Sequence, residues 1–162
     1  MKPYKKALHI FRRDLRLVDN TALHAACTAA ETVIPCFIFD PRQVGKNEYK
    51  SEHAIQFMCE SLDDLTDQLK QQKGRIYFFA GKAEDVVRKI IRAASIDAVF
   101  FNADYTPFSL KRDQAIQKVC AKQEVVCEIL HDALLNPPEA VLKKKWGAVC
   151  DLYAVLEKGS TK

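Results

Sequence analysis

Short apolar runs of strand length alternate with longer stretches of helical periodicity through most of this chain, and that alternation restricts the fold more than any other feature. The apolar runs fall at residues 7–11, 33–39, 76–80, 98–101 and 125–130. Each is predominantly apolar, broken by His9 in the first and Glu128 in the last, as suits strands of a parallel sheet covered on both faces. Between them, Asp19 or Asn20 can cap a helix running to Ala30. Ser51 opens a long helix that Gly74 ends, with Ile55, Met58, Cys59, Leu62, Leu65 and Leu69 on one apolar stripe. Residues 83–94 turn Val86, Val87, Ile90 and Ile91 inward, and Pro107 starts a helix to about Lys122. Five strands and four helices predict a Rossmann-like, doubly wound α/β domain, with a parallel sheet ordered 3-2-1-4-5 and right-handed crossovers. Pro35 counts against the second strand, because proline removes a ladder donor. Asp40-Pro41 closes that strand, and a polar loop is expected over residues 42–50.

A length of 162 residues suits one domain with a real core. The net charge of +4 is ordinary for solubility, and little or no DNA binding by this chain alone is expected from it. None of the six cysteines lies in a C-x-x-C pair, so no metal site is expected, and buried reduced thiols are the natural reading. Reduced thiols, with no visible signal peptide and no stretch of membrane-spanning length, fit a cytoplasmic protein with no membrane contact.

Chemistry in such a fold belongs beyond the carboxyl ends of the strands. Phe11-Arg12-Arg13-Asp14-Leu15-Arg16-Leu17-Val18-Asp19-Asn20 occupies that place after the first strand. Arg16 and Asp19 tie the loop down and Asn20 caps the helix, while Arg12 and Arg13 are close enough to the strand end to reach a ligand. Guanidinium groups suit phosphate, carboxylate or a stacked ring. No glycine-rich phosphate loop follows, which argues against a dehydrogenase. Gly81-Lys82 reads as a turn. After the fourth strand, Asp104 and Tyr105 either meet a ligand or serve as a cap and a core residue. No catalytic set is evident, and His9, His24, His53 and His131 read as structural.

Several of these segments resemble the photolyase/cryptochrome family of blue-light flavoproteins. The likeness rests on Phe11-Arg12-Arg13-Asp14-Leu15-Arg16 with Asp19-Asn20, on Phe37-Ile38-Phe39-Asp40-Pro41, on residues 102–108 with Lys111-Arg112-Asp113, and on His131-Asp132 with Leu135 and Pro138. It is closest to the N-terminal α/β domain of a cyclobutane-dimer DNA photolyase, and it implies an antenna chromophore: deazaflavin, flavin or folate. The implied antenna residues are Arg12, Arg13, Phe37, Ile38, Phe39, Asp104, Tyr105, Thr106 and Lys111. Phe108-Ser109 stands where some folate-binding relatives carry Asn-Glu, which argues against folate. In the family, FAD and the damaged DNA are bound by a helical C-terminal domain with no counterpart here. An inactive fragment is therefore expected, with an exposed docking face open to self-association.

The expected boundaries are 1–132 for the α/β domain, 133–145 for a linker and 146–162 for a tail unlike the family. Read from the second base of the Lys145 codon, the tail is compatible with Asn-Gly-Ala-Pro-Tyr-Val-Ile-Tyr-Thr-Pro-Phe-Trp-Lys-Lys, the family's usual continuation; a frameshift near Lys144 is the expectation. The rival readings are a cryptochrome-like photoreceptor domain, a nucleotide-binding module of universal-stress or electron-transfer-flavoprotein type, and a folded remnant without function.

Overall fold

The computed structural model describes residues 1–44 and 51–132. The expected linker and tail, and most of the polar loop before Ser51, lie outside the described residues. The compact unit Met1–Leu130 contains β1 (Tyr4–Phe11), α1 (Thr21–Ala29), β2 (Ala30–Phe39), α2 (Pro41–Val44), α3 (Glu52–Gln71), β3 (Tyr77–Ala80), α4 (Ala83–Ala94), β4 (Ala98–Asn102), α5 (Pro107–Lys122) and β5 (Val126–Leu130). The strands form one parallel sheet in the expected order, β3-β2-β1-β4-β5.

Alternation along β1 divides the core. Leu8 and Ile10 pack with Ile90 and Ile91 of α4 and Ile116 of α5. Ala7 packs with Ala26 of α1, and Phe11 with Leu62 and Leu65 of α3. Helices thus cover both faces, as a sheet of two-sided apolar strands requires. Removing one such side chain, for example by Leu8→Ala, costs about 2–5 kcal/mol.

Local differences from the sequence reading have physical causes. β1 begins at Tyr4 because the Asp97 carboxylate accepts from the amides of Lys5 and Lys6, both at 2.9 Å. β2 begins at Ala30, already in register with Tyr4. Pro35 is tolerated because β3 joins β2 only from Cys36 onward. A short helix, α2, replaces the start of the expected loop, and Asp40 Oδ1 accepts from the Arg42 amide at 3.0 Å.

The left-handed residue closing α3 is Lys73 (φ 60°), and Gly74 instead donates its amide to the Leu69 carbonyl at 2.8 Å. Two cysteines depart from the expected burial: Cys27 and Cys59 are exposed, whereas Cys36 and Cys120 are buried. Cys59 lies off the α3 stripe that Leu62 and Leu65 bury.

Candidate functional site

The strand order reverses between β1 and β4, and the loops leaving their carboxyl ends are locked together by side chains. Asp14 Oδ1 accepts from the Arg12 amide at 2.9 Å, and its carboxylate also accepts from the side-chain amides of Asn20 and Asn102. Asn20 Oδ1 accepts from the Leu23 amide, and Asn102 Oδ1 from the Ala22 amide, both at 3.0 Å. Two asparagines thus satisfy the first turn of α1, one from β1's own loop and one from the end of β4. Much of the charge-rich run after β1 is therefore architecture.

Arg12 belongs to that architecture. Its guanidinium lies 3.9 Å over the Phe101 ring, and Nη1 donates to the Asp113 carboxylate at 2.8 Å. Arg112 Nε shares the same carboxylate at 3.1 Å. Burial, then the charge of Arg112, push the Arg12 pKa down to about 10. One carboxylate between two buried cations ties α5 to the end of β1.

A cavity of about 630 Å³ opens at this switch point. Ile10 of β1, Phe37 and Ile38 of β2 and Ile116 of α5 form its apolar floor. Ile55, Phe57 and Met58, from the first half of α3, form the opposite wall. Arg13 and Asp104 stand at its edge, with Arg13 Nε 3.7 Å from Asp104 Oδ2. Asp104 accepts from Ser109 Oγ at 2.8 Å and from the Thr106 amide at 3.3 Å. Partial burial works to raise the Asp104 pKa, but these hydrogen bonds and the charges of Arg13 and Arg112 outweigh it and hold the group below its ordinary value. The site therefore offers an apolar slot lined also by two carboxylates, Asp104 and Asp40, and by the side chains of Arg12, Arg13, Arg16 and Arg112.

A second clamp fixes the β2 side. Arg42 donates to Asp40 through Nε at 2.9 Å and to Glu84 through Nη2 at 2.7 Å. Asp40 Oδ2 also accepts from the Ala83 amide at 3.1 Å. Lys82 gives α4 no side-chain cap, so Asp40 supplies that acceptor from β2. Gly81, at φ 140°, makes the turn between them.

Of the expected binding residues, Arg12, Arg13, Phe37, Ile38 and Asp104 line the cavity. Phe39 points to the α3 side, its ring 4.9 Å from that of Phe37. Thr106 caps α5, Tyr105 is half-buried, and Lys111 is exposed; the cavity lining includes none of these three. The α3 wall escaped the sequence reading because Ile55 and Met58 share the stripe that buries Leu62 and Leu65. A wider cleft of about 860 Å³ lies between α1 and α3. It runs beside the first half of β2, away from the carboxyl ends where ligands of α/β sheets bind. Among the described residues no cluster of metal-ligating side chains occurs, and no helix is long and apolar enough to cross a membrane.

Similarity to known proteins agrees with this geometry. The family model described as DNA photolyase matches residues 7–158. An archaeal photolyase from Sulfolobus tokodaii, solved with two FAD molecules and the implication of a novel light-harvesting cofactor, is 46% identical, with a TM-score of 0.79 over 83% of this chain and 31% of its own. A bacterial class III photolyase from Agrobacterium tumefaciens is 27% identical, with a TM-score of 0.76 over 89% of this chain and 29% of its own. Cryptochrome-1 of Aedes aegypti is 34% identical over 143 residues, covering 85% of this chain and 26% of that protein. The chain thus spans about a quarter to a third of the relatives it matches. With its sheet order, its switch-point cavity and a family match over nearly its whole length, this chain belongs to the DNA photolyase family, whose N-terminal α/β domain it carries.

Proposed function

We propose that the switch-point cavity binds an antenna chromophore of flavin or deazaflavin type, serving light-driven repair of pyrimidine dimers by the full-length protein. The observation that carries this reading is the cavity itself: a space of about 630 Å³ lined by Ile10, Phe37, Ile38, Ile55 and Met58, with the Asp104 carboxylate beside them. Phe37, Ile38 and Ile10 take the face of a fused ring, Ile55 and Met58 cover it, and Asp104 accepts from a ring N–H. The bound chromophore supplies absorption of blue light. The residues of this chain fix its orientation and exclude water, and excitation transfer asks nothing further of them.

Flavin is favoured over folate. Ser109, where folate-binding relatives carry an acid, donates its hydroxyl to Asp104. Phe108 lies between the guanidinium groups of Arg42 and Arg112, at 5.4 and 5.8 Å. The Sulfolobus tokodaii relative with two FAD molecules supports the same choice. FAD-driven chemistry and damaged DNA belong in this reading to the full-length protein, and these 162 residues by themselves split no dimer. A cryptochrome-like photoreceptor role is the second reading, favoured by the identity to Cryptochrome-1 of Aedes aegypti. A cytoplasmic location goes with either, supported by the free described cysteines.

The test is a fluorescence titration of the chain with FAD and with a 5-deazaflavin. Saturable quenching at one site is expected, lost in Ile38→Arg, which fills the slot with a charge. No saturable binding by the folded wild-type chain, or preference for a methenyl folate, would overturn the reading.

A further inference from the structure

The loop joining α5 to β5 reverses the chain tightly. The Cys120 carbonyl accepts from the amides of Gln123 and Val125, both at 3.0 Å, and Glu124 takes a left-handed φ of 57°. Val125 is thereby anchored against the last turn of α5. From Val125 onward, alternate residues of the extended chain share a face. Val125, Cys127 and Ile129 accordingly pack into the core cluster that holds Ile116, Val119 and Cys120 of α5. Cys120 and Cys127 meet there, and the Cys127 thiol donates a hydrogen bond to the Cys120 sulfur.

The two thiols differ in exposure and acidity. Cys120 is fully buried, whereas Cys127 is half-buried. Their hydrogen bond lowers the Cys120 pKa below the ordinary thiol value and, together with burial, raises that of Cys127. Both ends of the contact belong to the frame of the domain. β5 is an edge strand, joined among the described residues to β4 alone. α5 carries Asp113, the carboxylate shared by Arg12 and Arg112 at the end of β1.

We propose that Cys120 and Cys127 are a redox modification site, forming a reversible disulfide that pins β5 to α5 when small disulfides such as oxidised glutathione accumulate. Cys127, the exposed partner, gives up its proton to solvent and attacks one sulfur of oxidised glutathione, releasing the other half as a thiolate. Cys120, its proton also released, then attacks the Cys127 sulfur, which forms the protein disulfide and expels the second glutathione thiolate. Two protein thiols are oxidised, and one glutathione disulfide is reduced to two thiols. The raised pKa of Cys127 makes the first attack the slow step, and the lowered pKa of Cys120 favours the second.

The full chain, first reduced and then equilibrated with oxidised glutathione, tests it. Free thiols are blocked with N-ethylmaleimide under denaturation. Trypsin then cuts after Lys118 and Lys122, which separates the two cysteines. The expected product is peptide 119–122 bonded to the peptide that begins at Gln123, with neither sulfur alkylated. Its formation raises Tm by several degrees and slows amide exchange across β5, and dithiothreitol reverses both changes. Cys127→Ser loses the bonded pair and the Tm gain, while the exposed Cys27 and Cys59 still take up glutathione. Cys120 and Cys127 recovered as alkylated thiols beside glutathionylated Cys27 and Cys59 would overturn the inference. So would Cys127 left glutathionylated beside a free Cys120, a bonded pair that forms only in urea, or a Tm gain that persists in Cys127→Ser.

Discussion

His9 makes the stability of this domain depend on pH in a window set by its burial. It sits in the middle of β1, fully buried, with neither ring nitrogen hydrogen-bonded among the described residues. Its ring meets Phe11 edge-on, 4.5 Å between centroids. Burial pushes its pKa down from 6.5 to about 4; the charge of Asp14 opposes the shift and that of Arg12 adds to it. The folded state therefore keeps the imidazole neutral, while the unfolded chain protonates it below pH 6.5. Stability is complete above that value and falls as pH drops from 6.5 to about 4. At about 1.4 kcal/mol per pH unit, the loss over that window is about 3 kcal/mol.

Asp40 and Asp104, both held below their ordinary carboxylate values, lose their contribution only at lower pH. Urea unfolding followed by circular dichroism at pH 7, 6, 5 and 4 gives the slope. His9→Leu is expected to leave stability at pH 7 nearly unchanged, because it removes two unsatisfied polar atoms along with the ring. It is also expected to abolish most of the slope between 6.5 and 4. A variant with the wild-type slope would refute the argument.

Other substitutions test the frame around the cavity. Asp113→Ala leaves Arg12 and Arg112 buried without their shared carboxylate and is expected to cost about 3–5 kcal/mol in urea unfolding. Asp40→Ala removes both the acceptor for the first turn of α4 and the Arg42 clamp, for a loss of about 2 kcal/mol read as a lower Tm. Gly81→Ala meets a left-handed φ of 140° and a Val86 methyl 3.1 Å from the new Cβ, and is expected to cost about 1–3 kcal/mol in the same assay.

Much of this architecture was legible because the strands are predominantly apolar. Two-sided burial suits the central strands β1 and β4, and the helices between the strands set the crossovers. What stayed hidden depended on distant residues. Arg12 reads as a ligand-facing cation after a strand, yet its partner Asp113 lies 101 positions away. The cap of α4 comes from Asp40, 43 positions before Ala83. The α3 wall was hidden for the opposite reason: one helical stripe serves the core at Leu62 and Leu65 and the cavity at Ile55 and Met58, and periodicity does not separate the two. Asp104 was legible because β4's carboxyl end faces β1's in this sheet order.

The central claim is that a flavin sits at the switch point and touches the first half of α3. Hydrogen–deuterium exchange of the full chain with and without saturating FAD tests it most directly. The account predicts new protection over residues 10–16 and 51–61, with residues 24–35 and 69–77 around the wider cleft unchanged. Protection at that cleft, or none anywhere despite bound flavin, would contradict it.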